Sequence, residues 1–307
     1  MVDVSYRGAT YNLSLFRRDC RVGGFAEYIK ESICYNQGEL IQYSFLAAEF
    51  HKYMKEEFGR GNCDIAIECQ KALLGYLSRN LERITKENLN LMKSYFKNRG
   101  KGRPRICVKG GFDIQNTESV VSVFRDSNVN YDSSCGIEEN TGFSYVCDTG
   151  KPFLCNNLPE SAKRKEYKNP RLDADVVDLY VLPSWAKRKL GMASGEDEKW
   201  KKCWRSKKGG HVVPDSCYKS TLIVPMTLRN NSLDSKFKES IKLDDVDRVI
   251  FGFLCFDHVD LNYFIENEDV YLGYVFADIL SVYFVYRMMY TSMSETFKSV
   301  DFIRDYS

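Results

Sequence analysis

The chain predicts an α+β protein, with a central antiparallel sheet flanked by helices and preceded by an N-terminal helical segment. Apolar residues recur at helical spacing up to about residue 97, short strand-like runs follow, and a long helical pattern closes the sequence. The 307 residues, 44% hydrophobic and 14% aromatic, supply enough apolar surface for a core, so the composition is not that of a disordered chain.

The N-terminal segment opens with a short alternating stretch (Tyr11, Leu13, Leu15), then Arg17, Arg18 and a break at Gly23-Gly24. Helical spacing follows from Phe25 to Cys34 and from Leu40 to Phe58, with Gly38 expected to separate the two and Gly59 and Gly61 to end the second. The next run is the most periodic in the chain. Leu74, Leu77, Leu81, Ile84, Asn88, Leu91 and Tyr95 step by 3 and 4 in alternation, the rhythm of a coiled-coil seam. With Leu74 at position a, Asn88 also falls at a, where one buried Asn sets register and favours parallel pairing of two copies. Leu74, Leu77, Leu81, Ile84, Asn88 and Leu91 are therefore the expected dimerisation residues, and an intramolecular hairpin with the preceding helix is the alternative.

The stretch NRGKGRP reads as a linker and divides the chain into a helical segment, 1–98, and a sheet-bearing domain, 99–307. Strands are predicted at Arg105–Val108, Val120–Phe124, Phe153–Cys155, Thr221–Pro225 and Val249–Phe256, and a last helix from about Glu268 to Tyr290. Gly150 suits a turn needing positive φ, Pro225 is expected at the end of its strand, and Gly252 is expected where a neighbouring backbone comes close.

A net charge of +2 does not point to a polyanionic partner, so no nucleic-acid partner is expected from the chain as a whole. Eleven cysteines without a C-x-x-C pair, behind an N-terminus too charged for an export signal, predict free thiols in the cytoplasm. Val270 to Met289 is almost long enough for a membrane span, but Asp278 and Arg287 favour a partly buried helix, so no membrane partner is expected. Only His51, His211 and His258 are available, and none stands in a nucleophile-base arrangement; no catalytic residue is predicted. Asp257-His258 reads as a solvated pair at a strand end. Cys155, Cys203, His211 and Cys217 lack the tight cysteine pair of a structural zinc site, so no metal site is assigned.

Three stretches, NTGFSYVCDTGKPFLCNNLPE from Asn140, SCYKSTLIVPMTL at 216–228 and RVIFGFLCFDHVDLNYFIENEDVYLGYVFADILSVYF at 248–284, occur in that order. Together they make residues 100–290 resemble a GAF domain, the sensory fold of cyclic-nucleotide phosphodiesterases and many bacterial signalling proteins. The resemblance implies a six-stranded antiparallel sheet with a small-molecule pocket on one face. It implies pocket residues at Phe112, Tyr131, Ser134, Phe143, Tyr145, Asn156, Ser220 and Leu222. Phe264, Glu268 and Asp269 match part of the motif of cyclic-nucleotide-binding members, whereas the Asn-Lys pair of that motif is absent. The resemblance leaves the ligand, and any cofactor, unknown.

The stretch 158–219 is longer than such a core needs. Residues 160–211 hold 14 Lys or Arg against 8 Asp or Glu, and all three tryptophans (Trp185, Trp200 and Trp204) lie there. Cations beside aromatic rings suit an anionic, even nucleotide-derived ligand, so Lys201, Lys202, Trp204 and Arg205 form a candidate lid; a solvated loop is the plain alternative. The expected function is thus a dimeric small-molecule sensor that signals through its N-terminal helices to a separate output protein. The alternatives are a thiol-based reductase of the methionine sulfoxide type, using a cysteine among Cys135, Cys147, Cys155 and Cys217, and a ligandless scaffold for dimerisation.

Overall fold

A computed structural model describes residues 3–6, 9–12, 22–97, 102–110, 118–125, 135–173, 177, 186, 196–204, 217–229, 235 and 248–305. A small hairpin of β1 (Asp3–Tyr6) and β2 (Ala9–Asn12) precedes two long helices, α1 (Val22–Gly59) and α2 (Cys63–Lys97). The main sheet is built from β3 (Arg105–Gly110), β4 (Ser119–Arg125), the two-residue β5 (Cys135–Gly136), β6 (Phe153–Cys155), β7 (Ser220–Arg229) and β8 (Arg248–His258). The helices of this part are α3 (Thr141–Thr149), α4 (Leu158–Lys163), α5 (Glu196–Lys202) and α6 (Glu266–Asp305). The strands lie in the order β5-β4-β3-β8-β7-β6, each pair antiparallel. An α+β fold with its antiparallel sheet flanked by helices is thus what the sequence forms.

Side chains along a strand alternate between the two faces of its sheet, and in β3 the burial alternates with them. Ile106 and Val108 point to the helix side. There they join Leu222, Val224 and Met226 of β7 and Leu254 and Phe256 of β8. Leu272, Phe276, Ala277, Leu280 and Phe284 of α6 close this layer, together with Leu89, Met92 and Phe96 of α2. The division expected at residue 98 therefore runs through a continuous apolar core. Gly273 lets α6 approach β7: a Cβ there would lie 2.6 Å from Val224 Cγ2.

Phe153–Cys155 is a strand as expected, the other four expected strands reach further, and two expectations are corrected. Pro225 sits inside β7, opposite Phe253, and the strand runs on to Arg229. Proline is tolerated there because β6 pairs only with Thr221 to Ile223, leaving β7 an edge at Pro225. Gly38 does not divide the first helix, since α1 is unbroken from Val22 to Gly59. A mid-helix glycine costs about 1 kcal/mol against alanine, which packing against α2 readily offsets. Gly61 does end the run at φ 80°, and Gly252 does stand at a close approach, its would-be Cβ 2.8 Å from the Lys109 carbonyl oxygen.

The lower half of the leucine seam is closed by the chain itself. Leu81 and Ile84 pack with Ile279 and Tyr283 of α6. Asn88 pairs with Asn36 of α1: Asn36 Nδ2 donates to Asn88 Oδ1 at 2.8 Å, and Asn88 Nδ2 donates to Asn36 Oδ1 at 2.9 Å. The Tyr283 hydroxyl donates to the Asn36 carbonyl at 3.0 Å, so a single polar knot ties α1, α2 and α6. Leu91 is half-buried against the main core. The side chains of Leu74 and Leu77 lie outside the described ones.

Two expected outcomes follow from this packing. Asn36→Leu or Asn88→Leu alone leaves a buried amide without its partner and lowers stability by about 1–3 kcal/mol, whereas the double variant recovers most of the loss; urea unfolding of the four proteins measures the cycle. Gly273→Ala gains up to about 1 kcal/mol of helix propensity but forces α6 off Val224, a strain of about 1–3 kcal/mol. A net fall in melting temperature is predicted, read by thermal unfolding.

Candidate functional site

The residues of β3, β7 and β8 that do not face the helices make the other face of the sheet, and register sets their neighbours. One row across it reads Arg105, Asp257, Thr221 and Cys155. The next reads Arg125, Cys107, Cys255, Ile223 and Phe153, and a third holds Ser122, Lys109, Phe253 and Pro225. These three rows carry three cations, Arg105, Lys109 and Arg125, one carboxylate, Asp257, and three cysteines.

Arg105 Nη2 lies 3.5 Å from Asp257 Oδ2, and Thr221 Oγ1 donates to Asp257 Oδ1 at 2.8 Å. The Arg105 guanidinium also stands 5.6 Å from the ring centroid of Tyr218. Asn169 Nδ2 donates to the hydroxyls of Tyr218, at 2.9 Å, and Tyr167, at 3.0 Å. Burial pushes both phenols up, so they stay protonated near neutral pH. Lys109 Nζ sits 4.9 Å from the centre of the Phe143 ring, which packs 4.8 Å from that of Phe253. Arg125 Nη2 donates to Ser122 Oγ at 2.7 Å.

Cys107 and Cys255 stand directly opposite each other on β3 and β8. Cys107 is the acidic member: its hydrogen bond with the Cys255 thiol lowers its pKa, burial opposes that, and the charges of Lys109 and Arg125 add to the lowering. Burial and the same hydrogen bond push Cys255 up.

Helix α3 covers part of this face. Asn140 caps it, its side chain accepting from the backbone of Gly142 at 2.9 Å, and Gly150 ends it at φ 65° as the turn requires. Gly142 lets α3 sit close to the sheet: a Cβ there would come 2.5 Å from Ile223 Cδ1 and would push that methyl aside.

The insertion forms an apolar cluster of its own at one end of the sheet. Trp200 and Trp204, 1% and 3% exposed, pack with Tyr167, Leu172, Cys203, Cys217 and Tyr218. Trp200 Nε1 donates to the Tyr218 carbonyl at 3.1 Å, while Trp204 Nε1 is buried with no partner among the described residues. These indoles are core rather than the open stacking surface that a solvated lid would present. Lys201 is half-buried, Lys202 is exposed, and Arg205 and Trp185 lie outside the described residues. Cys203 is pushed up to about 12, chiefly by burial.

The expected pocket residues are dispersed. Phe143 lies on the cationic face, and Tyr145 is exposed on α3. Asn156 clamps the backbone of Phe264, donating to its carbonyl at 2.8 Å and accepting from its amide at 3.0 Å. Ser220 Oγ donates to the Asp260 carbonyl at 2.6 Å. Leu222 points to the helix side, and Phe112, Tyr131 and Ser134 lie outside the described residues. Asp257 and His258 are not a solvated pair: Asp257 holds Arg105, and His258 is buried, its ring stacked 3.5 Å from that of Tyr263. Among the candidate thiols, Cys147 is exposed, Cys155 half-buried and Cys217 buried, none of the three in a disulfide, and the Cys135 side chain lies outside the described ones. Phe264 joins the helix-side core, and Asp269 accepts from the Ile265 amide at 2.7 Å at the start of α6.

Arg105, Cys107, Lys109, Thr221 and Asp257 were not among the expected site residues. A signal for three of them was available, since Arg-Ile-Cys-Val-Lys-Gly alternates polar and apolar residues as a two-faced strand requires. No protein-family model matches this chain, and comparison with curated proteins likewise gives no match.

Proposed function

We propose that the chain is a small-molecule-sensing regulatory protein built on a GAF-type domain, acting as a homodimer, and that it binds an anionic ligand on the sheet face bearing Arg105, Lys109 and Arg125. The carrying observation is that concentration of charge: in three adjacent rows of one sheet face, three cations stand against one carboxylate, Asp257, among the described residues. A guanidinium presents a planar fork of donors matched to phosphate or carboxylate. The six-stranded antiparallel sheet and the short helix over its face support the GAF reading, as do the ordered sequence stretches that fall on α3, β7, β8 and α6.

Coupling to an output follows from the two faces. Cys107 and Arg105 alternate in β3 with Ile106 and Val108, which pack in the same core as Met92 and Phe96 of α2. A ligand that binds one arrangement of the sheet better than another thereby shifts α2 and the hairpin it forms with α1. Ile41, Phe45, Tyr53 and Ile65, all exposed on that hairpin, offer apolar surface to a second copy or to an output protein. Thiol-rich and without a disulfide among the described cysteines, the chain suits the reducing cytoplasm.

The test is native mass spectrometry of protein purified from its host, wild type beside Arg105→Ala/Arg125→Ala. The expected result is a dimer mass carrying an anionic small molecule, with the molecule depleted at least about ten-fold in a folded, still dimeric variant. Equal retention by both proteins would place the ligand elsewhere, and wild type free of any small molecule would count against a sensor.

A further inference from the structure

We propose that Cys107 and Cys255 form a redox modification site: a dithiol that a hydroperoxide converts to a cross-strand disulfide at the centre of the sheet face. The two residues are exact register partners on adjacent antiparallel strands, so both side chains leave the same face. Directly opposed residues of an antiparallel pair have Cα atoms about 4.5–5.5 Å apart, inside the roughly 4.4–6.8 Å that a disulfide spans. Closing the bond therefore needs side-chain rotation and a slight contraction, not a rearrangement of strands. Neither cysteine is in a disulfide, and the Cys255 thiol donates to the carbonyl of Phe253 at 3.9 Å.

The surroundings order the chemistry. Cys107 is half-buried and Cys255 is buried, so an oxidant reaches Cys107 first. Arg125 lies opposite Cys107 on its other flank, and Lys109 is two residues along the same strand, so both cations favour the thiolate. The Cys107 thiolate attacks the peroxide oxygen; the O–O bond breaks and, with one proton taken up, an alcohol or water leaves and Cys107 becomes a sulfenic acid. The Cys255 sulfur then attacks the Cys107 sulfur, the S–O bond breaks, and the departing hydroxide takes the Cys255 proton to leave as water. Two thiols have been oxidised to one disulfide and one peroxide reduced. An added dithiol returns both cysteines to thiols.

This site needs no ligand, so its test stands apart from that of the anion-binding face. Folded wild-type protein is treated with hydrogen peroxide, alkylated and digested with trypsin, which releases Cys107 in the short peptide Ile106–Lys109. The expected product is that peptide disulfide-linked to the one carrying Cys255, restored to separate peptides by dithiothreitol. In Cys255→Ser the resolving thiol is missing, and Cys107 is expected to be trapped as a sulfenic acid that dimedone labels; Cys107→Ser abolishes both products. Circular dichroism establishes that each variant is folded. Should one fail to fold, the linked peptide from wild type decides alone. Recovery of Ile106–Lys109 with its thiol alkylated, while other cysteines of the eleven are oxidised, would overturn the proposal.

Discussion

Strand β8 is the constraint on which the rest depends. It pairs along its length with β7 and along its second half with β3, and this central ladder puts every second residue on the same face. Apolar residues at 106, 108, 222, 224, 254 and 256 close one side against α2 and α6. Their neighbours at 105, 107, 221, 255 and 257 are then forced onto the other side, where they meet as a row of charge, hydroxyl and thiol. A slip of one residue would exchange the two sets, burying Arg105 and Lys109 against α6 and turning Ile106 and Val108 outward. The cost of burying unpaired cations makes the observed register the only workable one.

The helical hairpin is part of the same object. Phe96, near the end of α2, lies among Phe256, Tyr263 and Phe264, with ring centroids 5.9 to 6.4 Å away. Higher up, the Asn36–Asn88 pair joins α1 to α2, and Tyr283 adds α6. Each amide nitrogen also donates within its own helix, but each Oδ1 takes its hydrogen bond from the other asparagine, so sliding of the helices is opposed. The hairpin is thus held rigidly near the sheet, while the apolar residues Ile41, Phe45, Tyr53 and Ile65 remain exposed on it. That arrangement suits a lever whose base is fixed to the site and whose far part meets something else.

Much of this was legible beforehand, for a physical reason. Strands buried on one or both faces must be rich in apolar residues, so β3, β4, β6, β7 and β8 each stand out as short runs, and α2 stands out by its period. Pairing does not leave such a trace. Nothing local to Cys107 names Cys255 as its partner, or local to Asn88 names Asn36; those pairs exist only once register and helix packing are known. The coiled-coil rhythm reports that one stripe of α2 is buried without saying whose surface covers it, and from Leu81 to Leu91 the cover belongs to the same chain. Gly38 and Pro225 misled because local propensity is worth about 1–3 kcal/mol and tertiary context overrides it. The expected pocket residues came from a resemblance, and Asn156 and Ser220 prove to hold loops in place.

The measurement that tests the two-faced ladder most directly is an alanine scan along β3, read by urea unfolding. Ile106→Ala and Val108→Ala should each cost about 2–4 kcal/mol, as core truncations do, while Arg105→Ala, Cys107→Ala and Lys109→Ala should cost about 1 kcal/mol or less. That alternation is the predicted result. A profile that fell evenly along the strand, or peaked at 105, 107 and 109, would contradict the account.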